Sequence, residues 1–291
     1  MSTLVKAWTA ARDRLKAAGI DTPVMDARLL VEAAAGATRA DLLNDPHRLL
    51  TNQQAQTLDA YLARREGREP IAYILGRQGF WSIMLSVGPA VLTPRPDTEL
   101  VVTAALERIA PDAPARILDL GVGSGAILLA VLAERRAAIG LGVDISEEAL
   151  AVARENAANL GLAARAALLR SDWTAGLEDQ GFDLVLSNPP YVRSGDIETL
   201  QPEVHRFEPH MALDGGPDGL DAYRRLAPEI LRVLKPGGGF VVEIGHDQGA
   251  DVIGLFEAAG AEDLELRKDL GGHDRIVAGR KKPLGIAADN R

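Results

Sequence analysis

Apolar positions change period along the chain, and the change divides it. At the N-terminus Leu4, Trp8, Ala11 and Leu15 recur every three or four residues, the spacing of a helix face turned to a core. Thr22-Pro23 reads as an N-cap with proline at the first helical position, and Thr51 stands ahead of Gln54 as a capping box opening a run through Tyr61 to Arg65. Residues 1–75 are therefore expected to form a helical bundle that docks a substrate and carries no catalytic constellation. Residues 76–94 alternate instead, and Phe80, Trp81, Ile83, Leu85 and Val87 predict a β-hairpin. This hairpin and a linker helix fill residues 76–110.

From residue 111 to 280 short apolar runs alternate with helical stretches, the βαβ order of a parallel sheet covered by helices. Strands are predicted at residues 115–120, 139–143, 166–170, 182–187 and 240–244. A helix over 220–234 is stopped by Lys235-Pro236-Gly237-Gly238-Gly239. Residues 264–267 and 275–278 are expected to pair as an antiparallel edge across Gly271-Gly272, and residues 281–291 to be a frayed C-terminal tail.

Four successive strand ends carry chemistry, where open α/β sheets bind ligands. After the first comes Gly121-Val122-Gly123-Ser124-Gly125. A dinucleotide fingerprint needs G-x-G-x-x-G; here the third glycine comes one position early, the looser spacing of S-adenosylmethionine (SAM) sites. After the second stands Asp144, nineteen residues past Gly125, where a carboxylate can accept both ribose hydroxyls. Its alternative role is to cap the helix beginning near Ser146, a task Ser146 itself fills. Ser171-Asp172-Trp173 follows the third, an acid and an indole that would bound an adenine; Trp173 reads equally as a core residue. After the fourth comes Asn188-Pro189-Pro190-Tyr191. The Asn side-chain carbonyl and a proline carbonyl can accept both N–H bonds of a planar NH2 group, and the Tyr ring offers a flat apolar face. Such a turn suits holding an amide or a base amine for methylation, although alone it would also pass for an ordinary Pro-rich turn. Pro94 and Pro96 flank Arg95, which reads either as part of a stiff linker or as a held guanidinium.

Composition narrows the class. A chain of 291 residues exceeds what one core usually fills. There are no cysteines, which removes disulfides, zinc–thiolate sites and a cysteine nucleophile, and the five His residues show no metal-ligand spacing, so no metal is expected. The net charge of −9 disfavours duplex DNA as the main partner. Residues 1–80 hold 11 Lys/Arg against 9 Asp/Glu, so the deficit lies in the remainder. Charges throughout the first helix argue against a signal peptide, and no apolar run approaches membrane-spanning length. A monomeric cytoplasmic enzyme is expected.

Taken together, these segments resemble the peptide chain release factor N5-glutamine methyltransferases, the HemK-type protein-(glutamine-N5) methyltransferases. The resemblance covers nearly the whole chain. It rests on residues 69–76 (Glu-Pro-Ile-Ala-Tyr-Ile-Leu-Gly), Phe80-Trp81, Pro94-Arg95-Pro96-Asp97-Thr98-Glu99, the Gly121–Gly125 loop, Asn188–Tyr191 and Ala212-Leu213-Asp214-Gly215-Gly216. Asn-Pro-Pro-Tyr alone also fits adenine-N6 methyltransferases. In the sister family that modifies a glutamine of a ribosomal protein, the proline-rich segment usually departs after Pro-Arg. The resemblance implies a Rossmann-like class I SAM-dependent methyltransferase sheet with a small N-terminal helical domain joined by the hairpin. It implies SAM as methyl donor, S-adenosylhomocysteine as product, and the glutamine of a Gly-Gly-Gln loop in class 1 release factors as substrate. Gly121, Val122, Gly123, Ser124, Gly125, Asp144, Trp173 and Asn188 would contact SAM. Asn188, Pro189, Pro190 and Tyr191 would hold the glutamine, with Asn188, Pro189 and Tyr191 as the catalytic set. Val122 and Ser124 stand where many members carry threonines, a departure that leaves the loop geometry unchanged. Two readings from other classes stand beside this one. A nucleic-acid adenine methyltransferase would need a basic channel, and a SAM-binding protein without catalysis leaves Asn188–Tyr191 unexplained.

Overall fold

The structure, a computed structural model, describes residues 2–283. The expected tail lies, from residue 284 onward, outside the described residues. The chain separates into two compact units, residues 1–77 with 201–207, and residues 78–200 with 208–291.

The first unit packs α1 (Leu4–Ala17), α2 (Pro23–Ala35), α3 (Arg39–Asn44), α4 (Asn52–Glu66) and α5 (Ile71–Leu75). Leu4, Ala11 and Leu15 of α1 meet Leu30 and Val31 of α2 and Leu62 of α4, so the apolar stripe becomes the core. Trp8 lies at its margin, its indole N–H donating to the Val24 carbonyl at 3.2 Å. The Thr51–Gln54 capping box forms in both directions. Pro23 sits at the helix start as expected, but the Thr22 hydroxyl turns to Asp26 Oδ1 (2.8 Å) and caps no backbone amide. Asp26 is buried and pairs with Arg65 Nε at 2.7 Å. The second arm of Arg65 reaches Glu203 at 2.8 Å, and Arg68 reaches it at 3.0 Å. These ion pairs fasten the segment Gln201–Phe207 into the helical unit, although it lies far along the sequence.

The second unit opens with a hairpin, β1 (Arg77–Phe80) and β2 (Ile83–Ser86). Trp81 occupies its turn at φ 54°, bonded through its indole N–H to Glu134 (3.0 Å) and through its backbone N–H to Glu99 (2.8 Å). A 3-10 turn, Pro96–Thr98, runs into α6 (Glu99–Arg108). Alternation then follows through β3 (Arg116–Leu120), α7 (Ala126–Glu134), β4 (Ile139–Asp144), α8 (Glu147–Asn159), β5 (Ala166–Arg170) and β6 (Phe182–Ser187). The short α9 (Pro202–His205) belongs to the first unit; α10 (Asp221–Val233), β7 (Leu234–Glu243), α11 (Gly249–Ala258), β8 (Ala261–Lys268) and β9 (Asp274–Lys281) complete the second.

Seven strands form one sheet in the order β5-β4-β3-β6-β7-β9-β8, parallel except where β9 pairs antiparallel with β7 and β8. The chain steps outward from β3 through β4 to β5, then returns to lay β6 on the other side of β3. That reversal opens a crevice at the carboxyl ends of β3, β4 and β6. Central strands are buried on both faces and read as continuous apolar runs. Phe240 stacks on Phe256 with ring centroids 4.2 Å apart. The glycine run after α10 ends the helix as expected, but residues 235–239 are themselves strand, with a shift of register opposite Phe182–Leu184. Among the described residues no helix is long and apolar enough to cross a membrane.

Candidate active site

A cavity of about 500 Å3 lies at this crevice, wholly within the second unit. Its floor is the glycine loop. Gly121 and Val122 donate their amides to the Val143 carbonyl (3.0 and 2.9 Å), which ties the loop to β4. Gly121 and Gly123 both have positive φ (73° and 53°), conformations that side chains resist. Gly125 is different: it starts α7 at φ 85°, and a Cβ there would lie 2.8 Å from Leu129 Cδ1. Gly121, Val122, Gly123 and Ser124 line the cavity, whereas Gly125 serves helix packing.

Asp144 stands at the end of β4 on the cavity wall. One carboxylate oxygen accepts the Gly123 amide and the other the Ser146 amide, each at 3.0 Å. Ser146 caps α8 through its own hydroxyl. Asp144 is thus a latch for the glycine loop rather than a helix cap, and its carboxylate keeps lone pairs for a ligand's hydroxyls. Trp173 also lines the cavity, half-buried, with its ring 3.5 Å from where a Cβ on Gly121 would stand. Both sequence expectations for Trp173 meet in this position, since the same indole packs against the sheet core.

Of the tetrapeptide after β6, Asn188 and Pro190 reach the cavity; Pro189 and Tyr191 do not form its wall. One Asn188 side-chain N–H donates to the Thr98 hydroxyl at 3.4 Å, which leaves the amide oxygen and the second N–H for a ligand. The Tyr191 ring packs against the core, and its hydroxyl, pushed above its ordinary range by burial, donates to Glu243 Oε1 at 3.4 Å. The turn's backbone is held tightly. Gln248, buried between strand and loop, donates to the Tyr191 and Gly219 carbonyls, each at 3.0 Å. A Cβ on Gly215 would stand 2.9 Å from the Pro190 carbonyl oxygen, so the glycine is what allows this approach. Arg95 is on the cavity wall and half-exposed, anchored at 2.7 Å by a Glu208 carboxylate that is almost wholly buried.

Two acidic residues at the site were not assigned from the sequence. Asp119 is 1% exposed, its carboxyl pushed up to about 7 by burial; Oδ2 accepts the Leu128 amide, and Oδ1 has no partner among the described residues. Glu243, also 1% exposed and raised to about 7 by burial, sits behind the tetrapeptide. Each is a lone carboxylate inside an apolar strand run, Ile117-Leu118-Asp119-Leu120 and Val241-Val242-Glu243-Ile244. That interruption was the available signal, because an unpaired buried charge is costly. Among the described residues no group of His, Asp or Glu side chains is arranged to hold a metal ion.

Comparison with known proteins adds a family. Residues 6–76 match the family described as PrmC N-terminal domain, and residues 111–262 match the family described as Methyltransferase domain. The chain is 62% identical over 282 residues to the release factor glutamine methyltransferase of Caulobacter vibrioides, covering 97% of this chain and 98% of that one. It is 48% identical over 272 residues to the protein of the same name from Rhodospirillum rubrum, covering 94% and 83%. A crystal structure of a methyltransferase from Pyrococcus furiosus shares the fold, with a TM-score of 0.53 at 16% identity over 77% of this chain and 98% of that one. With identity of this extent running through both units, the chain belongs to the release factor glutamine methyltransferase family.

Proposed function

We propose that this protein methylates the side-chain amide nitrogen (N5) of the glutamine in the Gly-Gly-Gln loop of class 1 release factors, with SAM as methyl donor. The observation that carries the proposal is the set of Asn188 on the cavity wall: its side-chain nitrogen donates to Thr98, an orientation that leaves its carbonyl oxygen able to accept from an incoming NH2. The cavity residues fit SAM. Positive-φ glycines allow a ligand close to the backbone, Asp144 offers carboxylate lone pairs for ribose hydroxyls, and Trp173 offers a ring face for adenine. When bound, SAM supplies an electrophilic methyl group on a cationic sulfur.

The protein's own contribution is placement. An amide nitrogen is a poor nucleophile because its lone pair is delocalised into the carbonyl. Asn188 Oδ1 and a proline carbonyl of the turn accept its two N–H bonds and aim it. Holding reactants in line is worth roughly 7–11 kcal/mol as effective molarity. Both acceptors also favour the positive charge that grows on nitrogen during transfer. The released proton passes to solvent. Tyr191 supports the turn from behind instead of forming a wall for the amide.

Residues 1–75 would dock the release factor and the enzyme itself would act as a cytoplasmic monomer; the net charge of −9 fits a protein partner better than duplex DNA. Mass spectrometry of a release factor incubated with the enzyme and SAM tests the proposal. A single methyl on the Gly-Gly-Gln glutamine is expected; an unmodified glutamine, with methyl on a ribosomal protein or on adenine, refutes it.

A further inference from the structure

Behind the tetrapeptide a buried chain of polar groups runs away from the cavity. Asn188 donates to the Thr98 hydroxyl, whose single proton is then free to point onward. The Glu243 carboxylate accepts from the Tyr191 hydroxyl at Oε1 and lies beside the Thr98 hydroxyl, while its Oε2 is buried with no hydrogen-bond partner among the described residues. Tyr223 meets the same residue from α10, its hydroxyl donating to the Glu243 carbonyl at 2.7 Å. Three elements therefore converge on one residue: the Pro96–Thr98 and Asn188–Tyr191 turns at its carboxylate, and α10 at its backbone carbonyl. None of this is needed for the fold alone. An apolar residue at 243 would suit a strand buried on both faces, and a carboxylate there is costly without a task.

We propose that Glu243 and Thr98 are positioning residues for methyl transfer, a relay that locks the Asn188 amide with its oxygen toward the substrate. Without the Thr98 hydroxyl, the Asn188 amide is free to rotate by a half-turn and present NH2 to the glutamine NH2, donor against donor. Glu243 sets the relay's direction, because an ionised carboxylate only accepts and so obliges Thr98 to donate to it and accept from Asn188. The Asn188–Thr98 and Tyr191–Glu243 contacts are both 3.4 Å, at the long end for hydrogen bonds. The inference rests on the assignment of Asn188 to the glutamine amide.

Ionisation of Glu243 is part of the device. Its carboxyl is raised to about 7, chiefly by burial and with help from Asp97, against the opposing effects of Thr98, Arg275 and Tyr191. Tyr223 is the remaining titratable group facing it, and its hydroxyl is raised far out of range by burial. Arg275 is itself held by Asp269 at 3.0 Å and Asp97 at 3.3 Å. Turnover on glutamine should therefore fall as pH drops through about 7 and Glu243 takes up a proton.

Steady-state kinetics on a release factor with full-length Thr98→Val, Thr98→Ser and Glu243→Gln, beside calorimetry with SAM, test the relay. Thr98→Val should lower kcat about tenfold or more with SAM affinity kept within about threefold, and Thr98→Ser should restore most of the loss. In an Asn188→Ala background Thr98→Val should cost less than about twofold, because the group it positions is gone. Glu243→Gln should lose the acid limb of the kcat–pH profile. A full additional loss in the Asn188→Ala background, or an acid limb retained in Glu243→Gln, overturns the relay. Should Thr98→Val bind SAM poorly, the Glu243→Gln profile decides alone. Unchanged kcat in Asn188→Ala would instead sink the glutamine assignment itself, an outcome the single variant separates from the rest.

Discussion

Asp144 is hydrogen-bonded to Gly123: the carboxylate accepts the glycine amide at 3.0 Å while its second oxygen accepts the Ser146 amide. Asp144→Ala should therefore do two things. Loss of charge-assisted hydrogen bonds, each worth roughly 1.5–3 kcal/mol, should weaken SAM binding by more than tenfold. The melting temperature without SAM should also drop, because the loop loses its latch. Asp144→Asn keeps one acceptor and should fall between. Calorimetry and thermal melts read the two effects separately, and a normal melting temperature in Asp144→Ala would remove the latch.

Gly123→Val should abolish SAM binding with only modest loss of stability. A Cβ at Gly123 meets nothing nearer than 4.0 Å, so the added volume enters the cavity and not the core. The backbone cost of a side chain at φ 53° is roughly 1–2 kcal/mol. Undiminished SAM affinity in this variant would move the site elsewhere.

Asn188→Ala should reduce turnover roughly 10²–10³-fold, the usual effect of deleting one preorganised electrostatic contact, with the fold intact. Asn188→Asp keeps an acceptor oxygen and should retain more activity than Ala. Tyr191→Phe removes a donor from the buried Glu243 and should cost stability, about 1 kcal/mol, as well as rate. Single-turnover rates with near-UV circular dichroism distinguish these outcomes.

Asp119 gives a test by pH. Its carboxyl is raised to about 7 in the folded protein, against 3.8 ordinarily, so the fold favours its protonated form. Its contribution to stability is fully present below about 4 and is lost as pH rises through about 7. Asp119→Asn should remove that slope, gaining on the natural chain at pH 8 relative to pH 5 by a few kcal/mol, on the order of 1.4 kcal/mol per pH unit. Urea titrations at the two pH values measure it. Equal differences at both would show that Asp119 is ionised throughout.

Arg65→Ala should destabilise the helical unit by about 3–5 kcal/mol, since it leaves the buried Asp26 without its ion pair and Glu203 with Arg68 alone. Chemical denaturation should show the loss, and Arg65→Met with Asp26→Leu and Glu203→Leu should recover much of it. A loss below about 1 kcal/mol would mean the cluster is hydrated like a surface pair.

Much of the architecture was legible because burial on both faces writes itself as apolar runs: β3, β4, β5 and β6 stand where the runs predicted them, and the glycine loop and Asp144 follow from strand ends. The partners of the tetrapeptide were not legible. Thr98 is 90 residues from Asn188, and Gln248 is 57 from Tyr191; hydrogen bonds at such separation leave no local period. Residues 235–239 read as a helix stop because glycine and proline disfavour strands, yet the neighbouring β6 recruits them through a shifted register. Residues 201–207 carry too few apolar positions to announce the unit they join; an ion pair does that work.

Arg65 and Glu203 are 138 residues apart. On a ribosome adding roughly 5–20 residues per second, the helical unit emerges some 7–28 seconds before the segment that completes it. During that interval Arg65 lacks its second carboxylate, and the unit is an open vessel whose last side arrives after the whole glycine loop and β6 have been made. The nascent chain thus finishes its first unit late, by closing over a piece of its second half.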